Sequence, residues 1–265
     1  MRKAPLFLTV AFLGLVALSP VLAHAEDAAA TPQAATTFTD AQRAEIENVI
    51  KDYLINKHPE VMAQGLQKMQ MREQETADVK IKEAVGKYKD RIYSDASSPV
   101  GGNPKGNVTI VEFYDYQCGY CKMSEESVEK LLKEDKSIKF IYKNFPILGP
   151  LSAEAAKASQ ASYKQGAAKF QAFHEAMMTK KDHLTTSEPI YEMAKEAGLD
   201  VEKLKKDMSA STVTDAISAN LKLGQDIGAR GTPMFIVGDN IFPGALQYDQ
   251  LKQAVADTRT PAKKN

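Results

Sequence analysis

The apolar pattern of residues 108–122 predicts a strand that is followed directly by a helix. The stretch opens with β-branched and aromatic residues, which are typical of a buried strand. Further on, apolar residues such as Val128 and Leu131 recur at helical spacing. Two cysteines in a Cys-x-x-Cys arrangement, Cys118 and Cys121, lie between the two patterns. The sequence therefore places both thiols where a strand ends and a helix starts.

The remainder of the C-terminal half predicts an α/β domain over residues 108–258. A second strand is predicted at 138–142, and a largely helical block follows over about 150–226. A short strand at 234–237, a turn and a partner strand at 241–242 indicate a hairpin. A helix at 248–257 closes the domain, and a C-terminal tail at 259–265 follows.

The pattern upstream of this domain predicts a separate helical region over residues 38–93. Thr39 and Gln42 have the spacing of a capping box, and Pro59 marks the start of a second helix. The apolar residues form narrow stripes, which suit seams between helices; they include Ile46, Val49, Tyr53, Met62, Leu66 and Met69. The region either folds onto the domain or forms a homo-oligomer, and we favour a dimer. Residues 94–107, rich in Gly, Pro and Ser, are interpreted as a linker.

The N-terminus has the pattern of a secretory signal peptide at residues 1–25. Two basic residues precede an apolar run that is too short to cross a bilayer, and a small-x-small motif follows. Residues 26–37, rich in Ala, Thr and Pro, are interpreted as a disordered leader. We therefore expect a periplasmic protein. The formal net charge of zero gives no indication of a nucleic-acid partner.

Position makes the two cysteines chemically different. Unpaired N–H groups and the positive end of the dipole at a helix start favour a thiolate. The pKa of Cys118 should fall, which makes it the nucleophile, and Cys121 should be more buried and act as the resolving thiol. Three other uses of the pair remain open: a structural disulfide, half of a zinc site, and a Cu(I) site. The export signal favours redox chemistry, which requires neither a metal nor another cofactor.

The cysteine motif, together with Gly231-Thr232-Pro233 ahead of a strand, resembles the thioredoxin fold with an inserted helical domain. The inserted block and the export signal are similar to those of DsbA-like thiol–disulfide oxidoreductases. The resemblance implies that Pro233 is cis and that Thr232 contacts the substrate backbone. The alternative is an ordinary proline at a strand entry.

Further details resemble subgroups of this family. The dipeptide between the cysteines, Gly119-Tyr120, resembles that of the isomerase DsbC rather than the Pro-His of DsbA. Because Tyr120 supplies no cation, we expect a less acidic Cys118 and a weaker oxidant than DsbA. The N-terminal helical region resembles that of ScsC-like and Com1-like members.

Glu112 and His174 are two other titratable residues in the predicted domain. Glu112 matches a buried acid that the family often has in this strand, and it would accept a proton from Cys121; the alternative is a solvent-facing carboxylate. His174 is interpreted as a packing or surface residue rather than a catalytic one.

The expected function is disulfide isomerisation or thiol–disulfide exchange. The expected partners are exported proteins with disulfides or free thiols, and a membrane redox partner. A monomeric dithiol oxidase and a Cu(I)-binding metal-tolerance protein are the alternatives.

Overall fold

The computed structural model describes residues 38–180 and 182–260. The signal peptide at 1–25, the leader at 26–37 and residues 261–265 of the tail lie outside the described residues. The chain divides into two compact units, Met1–Ala63 and Gln64–Asn265.

The described part of the first unit is helical. Helix α1 spans Asp40–Lys51, and the capping box of Thr39 and Gln42 is formed, as the sequence predicts. A π-helical turn, Asp52–Lys57, follows. Helix α2, Pro59–Lys87, starts at the predicted proline and continues into the second unit. No residue of α1 is buried, although several are large and apolar.

The second unit contains, among its described residues, a five-stranded sheet in the order β1-β3-β2-β4-β5. The two central strands β2 and β3 are parallel, and the other neighbouring strands are antiparallel. The strands are β1 (Val100–Gly102), β2 (Val108–Tyr114), β3 (Ile138–Asn144), β4 (Met234–Val237) and β5 (Asn240–Pro243). This is the predicted thioredoxin-like arrangement.

Helices cover the sheet on both sides. The described helices after α2 are α3 (Lys89–Tyr93), α4 (Gly119–Glu134), α5 (Pro150–Ser162), α6 (Ala167–Thr179), α7 (Glu188–Glu196), α8 (Val201–Met208), α9 (Ser211–Asp226) and α10 (Tyr248–Arg259). Helices α5 to α9 form the predicted helical insertion between β3 and β4. The C-terminal helix α10 extends to Arg259, so the tail starts later than expected.

Side chains that alternate along β2 point into two apolar cores, one on each face of the sheet. Ile110 and Tyr114 belong to the core that contains both cysteines, whereas Val111 and Phe113 belong to the core on the opposite face. Because side chains alternate along a strand, Glu112 shares the face of Ile110 and Tyr114. The opposite core includes residues from the end of α2, from α3 and from the end of α9.

The linker interpretation of residues 94–107 is wrong for part of this segment. It contains β1, which pairs antiparallel with β3. Asp95 accepts a hydrogen bond from Lys143 Nζ at 2.6 Å, and the Lys143 side chain is fully buried. The segment is therefore built into the sheet.

The end of the predicted N-terminal region also belongs to the second unit. Val85 and Ile92 are buried against the sheet. Arg91 forms an ion pair with Asp226 at 3.1 Å, and the Tyr93 hydroxyl donates to the carbonyl oxygen of Gly238. The unit boundary at Ala63 is therefore a better limit for the first unit than residue 93.

The ion pair between the fully buried Lys143 and the partly exposed Asp95 gives a stability prediction. We expect Asp95→Asn to lower the free energy of unfolding by about 3–5 kcal/mol, because it leaves a buried ammonium without its counter-charge. Asp207→Asn removes an exposed i,i+4 pair with Lys203 and should cost about 0.5 kcal/mol or less. Urea unfolding of both variants measures the difference, and equal losses would contradict the prediction.

The same pair predicts an acid dependence. Burial opposes ionisation of Asp95, but hydrogen bonds from Lys143 and Ser97 outweigh it and hold its pKa well below the usual value. Its stabilising contribution is therefore complete above the unfolded pKa of about 3.9 and is lost as pH falls below it. The free energy of unfolding of Asp95→Asn should vary less in this acidic range than that of the wild type.

Candidate active site

The two cysteines lie where β2 leads into α4, as the sequence predicts. Cys118 is the N-cap of α4, and its carbonyl oxygen accepts the N–H of Lys122 at 3.2 Å. The Cys118 N–H donates to the carbonyl oxygen of Asp115 at 2.9 Å. Both cysteines are free thiols in this structure. Cys118 is 7% exposed, and Cys121, one turn into the helix, is completely buried.

A buried carboxylate that the sequence analysis did not identify holds this junction together. Asp115 Oδ1 accepts the N–H of Gln117 at 2.8 Å. Its Oδ2 accepts the N–H groups of Ile147 and Leu148 at 2.9 and 3.0 Å. Asp115 therefore joins the loop after β2 to the loop after β3.

The loop before β4 forms the other side of the site. The peptide bond between Thr232 and Pro233 is cis, which confirms the prediction and excludes the ordinary trans proline. The Cys118 Sγ lies 3.2 Å from the carbonyl oxygen of Thr232, and the thiol is the donor. Gly231 precedes this pair, and the Gly244 N–H donates to the carbonyl oxygen of Pro233 at 2.8 Å.

Hydrogen bonds make Cys118 acidic. The largest cause is the Cys121 thiol, which donates to the Cys118 sulfur; the Thr232 side chain and the backbone N–H groups of Cys121 and Tyr120 act in the same direction. They outweigh partial desolvation and lower the pKa of Cys118 to about 5. That value lies between about 3.5 for DsbA and about 7 for thioredoxin, in agreement with the expected order.

Cys121 has the opposite character. Burial is the main cause that raises the pKa of its thiol, and the hydrogen bond to Cys118 and the charge of Glu112 add to the effect. At neutral pH, Cys121 is therefore a protonated thiol and Cys118 is a thiolate. This asymmetry agrees with the predicted assignment of nucleophile and resolving group.

Glu112 is a buried acid, so the solvent-facing alternative is wrong. It is 1% exposed, and it lies opposite Tyr142 on β3 and Phe235 on β4. Burial, followed by the charges of Glu125 and Cys118, raises its pKa well above the usual value. A carboxyl group with a raised pKa next to a buried thiol is suited to proton transfer.

A second buried group escaped the sequence analysis. Glu125, four residues after Cys121 on α4, is buried, and its Oε2 lies 3.4 Å from His174 Nε2. The His174 Nδ1 lies 2.8 Å from the hydroxyl of Tyr116. His174 is fully buried, so of the two predicted roles, packing or surface, the structure selects packing. The i,i+4 spacing of Cys121 and Glu125 places both side chains on one face of the helix, so the sequence could have indicated Glu125. The spacing gives no indication of the contact with His174, which is distant in the chain.

Apolar side chains surround the cysteines on the surface. Tyr120 is 65% exposed and Gly119 is also exposed, so the dipeptide between the cysteines is accessible. Met123, Ile147 and Leu148 are exposed as well.

A family model of known proteins matches more than half of this chain. The DSBA-like thioredoxin domain model covers residues 109–256.

The chain belongs to the DsbA-like family.

This result confirms the resemblance that the cysteine motif and the cis-proline loop indicated. Similar proteins include the disulfide bond formation protein D of Bacillus subtilis, which is 27% identical over 166 residues, covering 59% of this chain and 75% of that protein. Another relative is the Na⁺/H⁺ antiporter NhaA 3 of Salinispora tropica, 26% identical over 158 residues. The match covers 59% of this chain and only 24% of the antiporter's length.

Solved structures extend the similarity. A thioredoxin-like oxidoreductase from Silicibacter pomeroyi is 40% identical, with a TM-score of 0.62, and covers 65% of this chain and 98% of its own. A linker-deletion mutant of Proteus mirabilis ScsC is 28% identical, with a TM-score of 0.64, over 85% of this chain and 98% of its own. The similarity to ScsC therefore extends beyond the catalytic domain.

The geometry of this DsbA-like site argues against metal binding by the cysteines. A thiol must lose its proton to bind a metal, and the raised pKa of buried Cys121 opposes that loss. Across residues 38–180 and 182–260, no three or more His, Cys, Asp or Glu side chains are grouped so that they could hold a metal ion. The site favours thiol exchange over a Cu(I) or zinc site.

The acidity of Cys118 gives a testable pH profile. Only the thiolate reacts with iodoacetamide, so the alkylation rate of Cys118 should rise with a midpoint near pH 5 and level off at neutral pH. Cys121→Ala removes the main hydrogen bond, so its midpoint should shift upward. Mass spectrometry of quenched samples measures the rate. A wild-type midpoint near the free-thiol value of about 8.5 would contradict the assignment.

Proposed function

We propose that this protein is a periplasmic thiol–disulfide oxidoreductase and isomerase that acts on exported proteins. The observation that carries the proposal is the difference between the two thiols, one acidic at a helix start and the other buried and protonated. Such a pair supplies one nucleophile and one resolving group. Family membership supports the same chemistry.

The reaction starts at Cys118. Its thiolate attacks one sulfur of a substrate disulfide, the substrate S–S bond breaks, and a mixed disulfide forms while the other substrate sulfur leaves as a thiolate. A second substrate thiolate can then displace Cys118, which completes an isomerisation without net oxidation. Alternatively, Cys121 attacks the Cys118 sulfur, which reduces the substrate by two electrons and leaves the enzyme oxidised.

The neighbouring residues have defined roles in this proposal. Thr232 and Pro233 form the wall against which the substrate backbone lies, because the Thr232 carbonyl oxygen is within 3.2 Å of the Cys118 sulfur. Gly119 and Tyr120 contact the substrate from the exposed start of α4. Glu112 accepts the proton that Cys121 loses during resolution.

Export is part of the proposal. The signal peptide pattern at residues 1–25 supports it, as does the use of a lone cysteine pair for redox chemistry. Within the described parts of the chain, no helix has both the length and the apolar character needed to cross a membrane. A membrane redox partner would set the oxidation state of the cysteines.

Single cysteine variants test the reaction. We expect Cys118→Ala to abolish exchange and Cys121→Ala to accumulate mixed disulfides on Cys118, because the resolving thiol is missing. Scrambled ribonuclease is the substrate, and non-reducing electrophoresis with mass spectrometry identifies the adducts. The double variant is the control and should form none. Adducts that persist on Cys118→Ala would reverse the two roles.

We further propose that the N-terminal region holds the protein as a homo-oligomer, most favourably a dimer. In the first unit, a surface depression of about 350 Å³ is lined by α1 and by Phe38, two residues before it. Apolar side chains that are at least two-fifths exposed line this depression or lie near it in the chain; they are Phe38, Ile46, Val49, Ile50, Tyr53, Ile55, Val61 and Met62. Burial of such a surface between copies of the chain is favourable by about 25 cal/mol per Å².

One matched pair of variants tests the assembly. Val49→Glu places a charge in the apolar depression and should dissociate the oligomer, whereas Asn48→Glu adds the same charge to an exposed position that does not line it. Sedimentation velocity at micromolar concentration measures the state. A monomeric wild-type protein would contradict the proposal, and so would equal behaviour of the two variants.

The proposed purpose of the assembly has a separate test. A variant that lacks residues 26–63 retains Val85 and Ile92, which are buried in the catalytic unit. It should remain reactive at Cys118, lose isomerase activity and gain oxidase activity, because linked domains hold one substrate at high effective concentration. A monomeric deletion variant with undiminished isomerase activity would leave the assembly without this purpose.

A further inference from the structure

A surface cleft of about 640 Å³ borders the reactive cysteine. Thr232 and Pro233 line the cleft, and the carbonyl oxygen of Thr232 lies 3.2 Å from the Cys118 Sγ. Met234, which also lines it, belongs to the apolar core on the face of the sheet opposite the cysteines. Tyr120, at the exposed start of α4, is not part of its wall. The cleft is therefore continuous with the reacting sulfur but distinct from the exposed apolar surface around Tyr120.

Helix α2 supplies one wall of this cleft. The α2 residues that line it include a series at intervals of three or four residues, which share one face of the helix; they are Gln74, Ala77, Ile81 and Ala84. This part of α2 lies within the compact unit that contains the cysteines, and Val85 is buried in its core. The helix that begins in the N-terminal region thus contributes directly to the surface beside the active site.

The cleft has an apolar base and an open side. Met234 and Ile227, the residue after α9, are buried, and Ile81 and Ile241 are half-buried. Ala77 is exposed at the open side. The cleft volume lies within the range of about 300–1,000 Å³ that is typical of ligand pockets. The cleft therefore has room for apolar side chains of an extended peptide.

The net charge of the cleft is positive. Its charged lining residues are Lys80, Arg230 and Asp226. The two carboxylate oxygens of Asp226 each accept a hydrogen bond at 3.1 Å, one from Lys222 and one from Arg91, so cations already neutralise this carboxylate. The side chains of Lys80 and Arg230 form no ion pair or hydrogen bond with any group that the structure describes. Both cations are exposed and are available to an anionic group of another molecule.

A substrate that bonds to Cys118 brings its own chain to this cleft. Thr232 lines the cleft and also lies beside the sulfur to which the substrate cysteine bonds. Because an extended chain advances about 3.3 Å per residue, the residues next to the substrate cysteine reach the cleft. An acidic side chain in that segment would meet Lys80 and Arg230.

We infer that the cleft binds the segment of an exported protein that flanks its reacting cysteine, and that Lys80 and Arg230 select segments with an acidic side chain. Helix α2 is then part of the substrate site. The two cations determine specificity and are not catalytic residues, because they act on the association of the substrate and on its salt dependence rather than on the exchanging sulfurs. This inference rests on the proposed function.

Short peptides with one cysteine test the inference. The peptide cysteine is activated as a mixed disulfide with thiopyridine. Attack by the Cys118 thiolate on the peptide sulfur forms the mixed disulfide and releases chromogenic thiopyridone, whose absorbance measures the rate. One glutamate is placed in turn at each position on either side of the cysteine, and glutamine at the same position is the reference. At low ionic strength, we expect the best-placed glutamate peptide to react about fivefold faster than its glutamine counterpart, and added salt should reduce this ratio.

Matched variants assign the preference to the two cations. Lys80→Gln and Arg230→Gln should each lower the ratio, and the double variant should react equally fast with both peptides. Arg230→Lys keeps the charge and should retain most of the preference. Lys82→Gln removes a charge from an exposed α2 position that does not line the cleft, so its ratio should equal that of the wild type. Because the ratio is taken within each variant, a change in the acidity of Cys118 affects both peptides and cancels.

The outcomes separate this inference from the proposed function. Equal rates for the two peptides in the wild type would overturn the inference, and so would equal ratios in the double variant and Lys82→Gln. If the double variant keeps the wild-type ratio but sediments differently, a second copy of the chain occupies the cleft and the inference is wrong. Failure of the proposed function would instead leave the wild type unable to release thiopyridone from either peptide.

Discussion

The buried carboxylate of Asp115 is the constraint on which the site depends. Its two oxygens accept three backbone N–H groups, from Gln117 in the loop after β2 and from Ile147 and Leu148 in the loop after β3. Because β2 and β3 are parallel neighbours, their ends meet at one edge of the sheet. A single side chain thereby ties that edge together and sets the start of α4. These three hydrogen bonds therefore fix the position of Cys118, which is the first residue before α4.

One geometry produces two different thiols. Cys118 at the helix start receives hydrogen bonds and has a low pKa, whereas Cys121 lies one turn further, where burial raises its pKa. Each thiol also shifts the other, because the hydrogen bond between them stabilises the Cys118 thiolate and retains the Cys121 proton. Neither property follows from cysteine chemistry alone. Both follow from where the helix begins relative to the sheet.

Local patterns predicted much of this structure, and long-range contacts account for most of what was missed. The strand, cysteine pair and helix were predictable because each signal lies within the segment itself. The short strand β1 has a Val-Gly-Gly sequence without alternation, and only its pairing with β3 defines it. Likewise, Glu125 and His174 are 49 residues apart in the chain, so their contact depends on the packing of α4 against α6. The boundary at residue 93 was placed too late because Val85 and Ile92 pack against the distant sheet, and the linker was wrong because Asp95 accepts a hydrogen bond from the buried Lys143.

The acidity of Cys118 bears on the direction of the reaction. A thiolate that is stable at neutral pH is a good leaving group from a mixed disulfide, so a low pKa favours the reduced enzyme and makes the disulfide form oxidising. With a pKa of about 5, compared with about 3.5 in DsbA, we expect this preference to be weaker than in DsbA. The dithiol can therefore work in either direction, and its use as an isomerase requires that it stays reduced. The active-site geometry alone leaves that choice open, because the same surface admits a substrate and an oxidising partner. In the proposed function, the exposed apolar residues of the N-terminal region supply control of access, because they join catalytic domains into an oligomer.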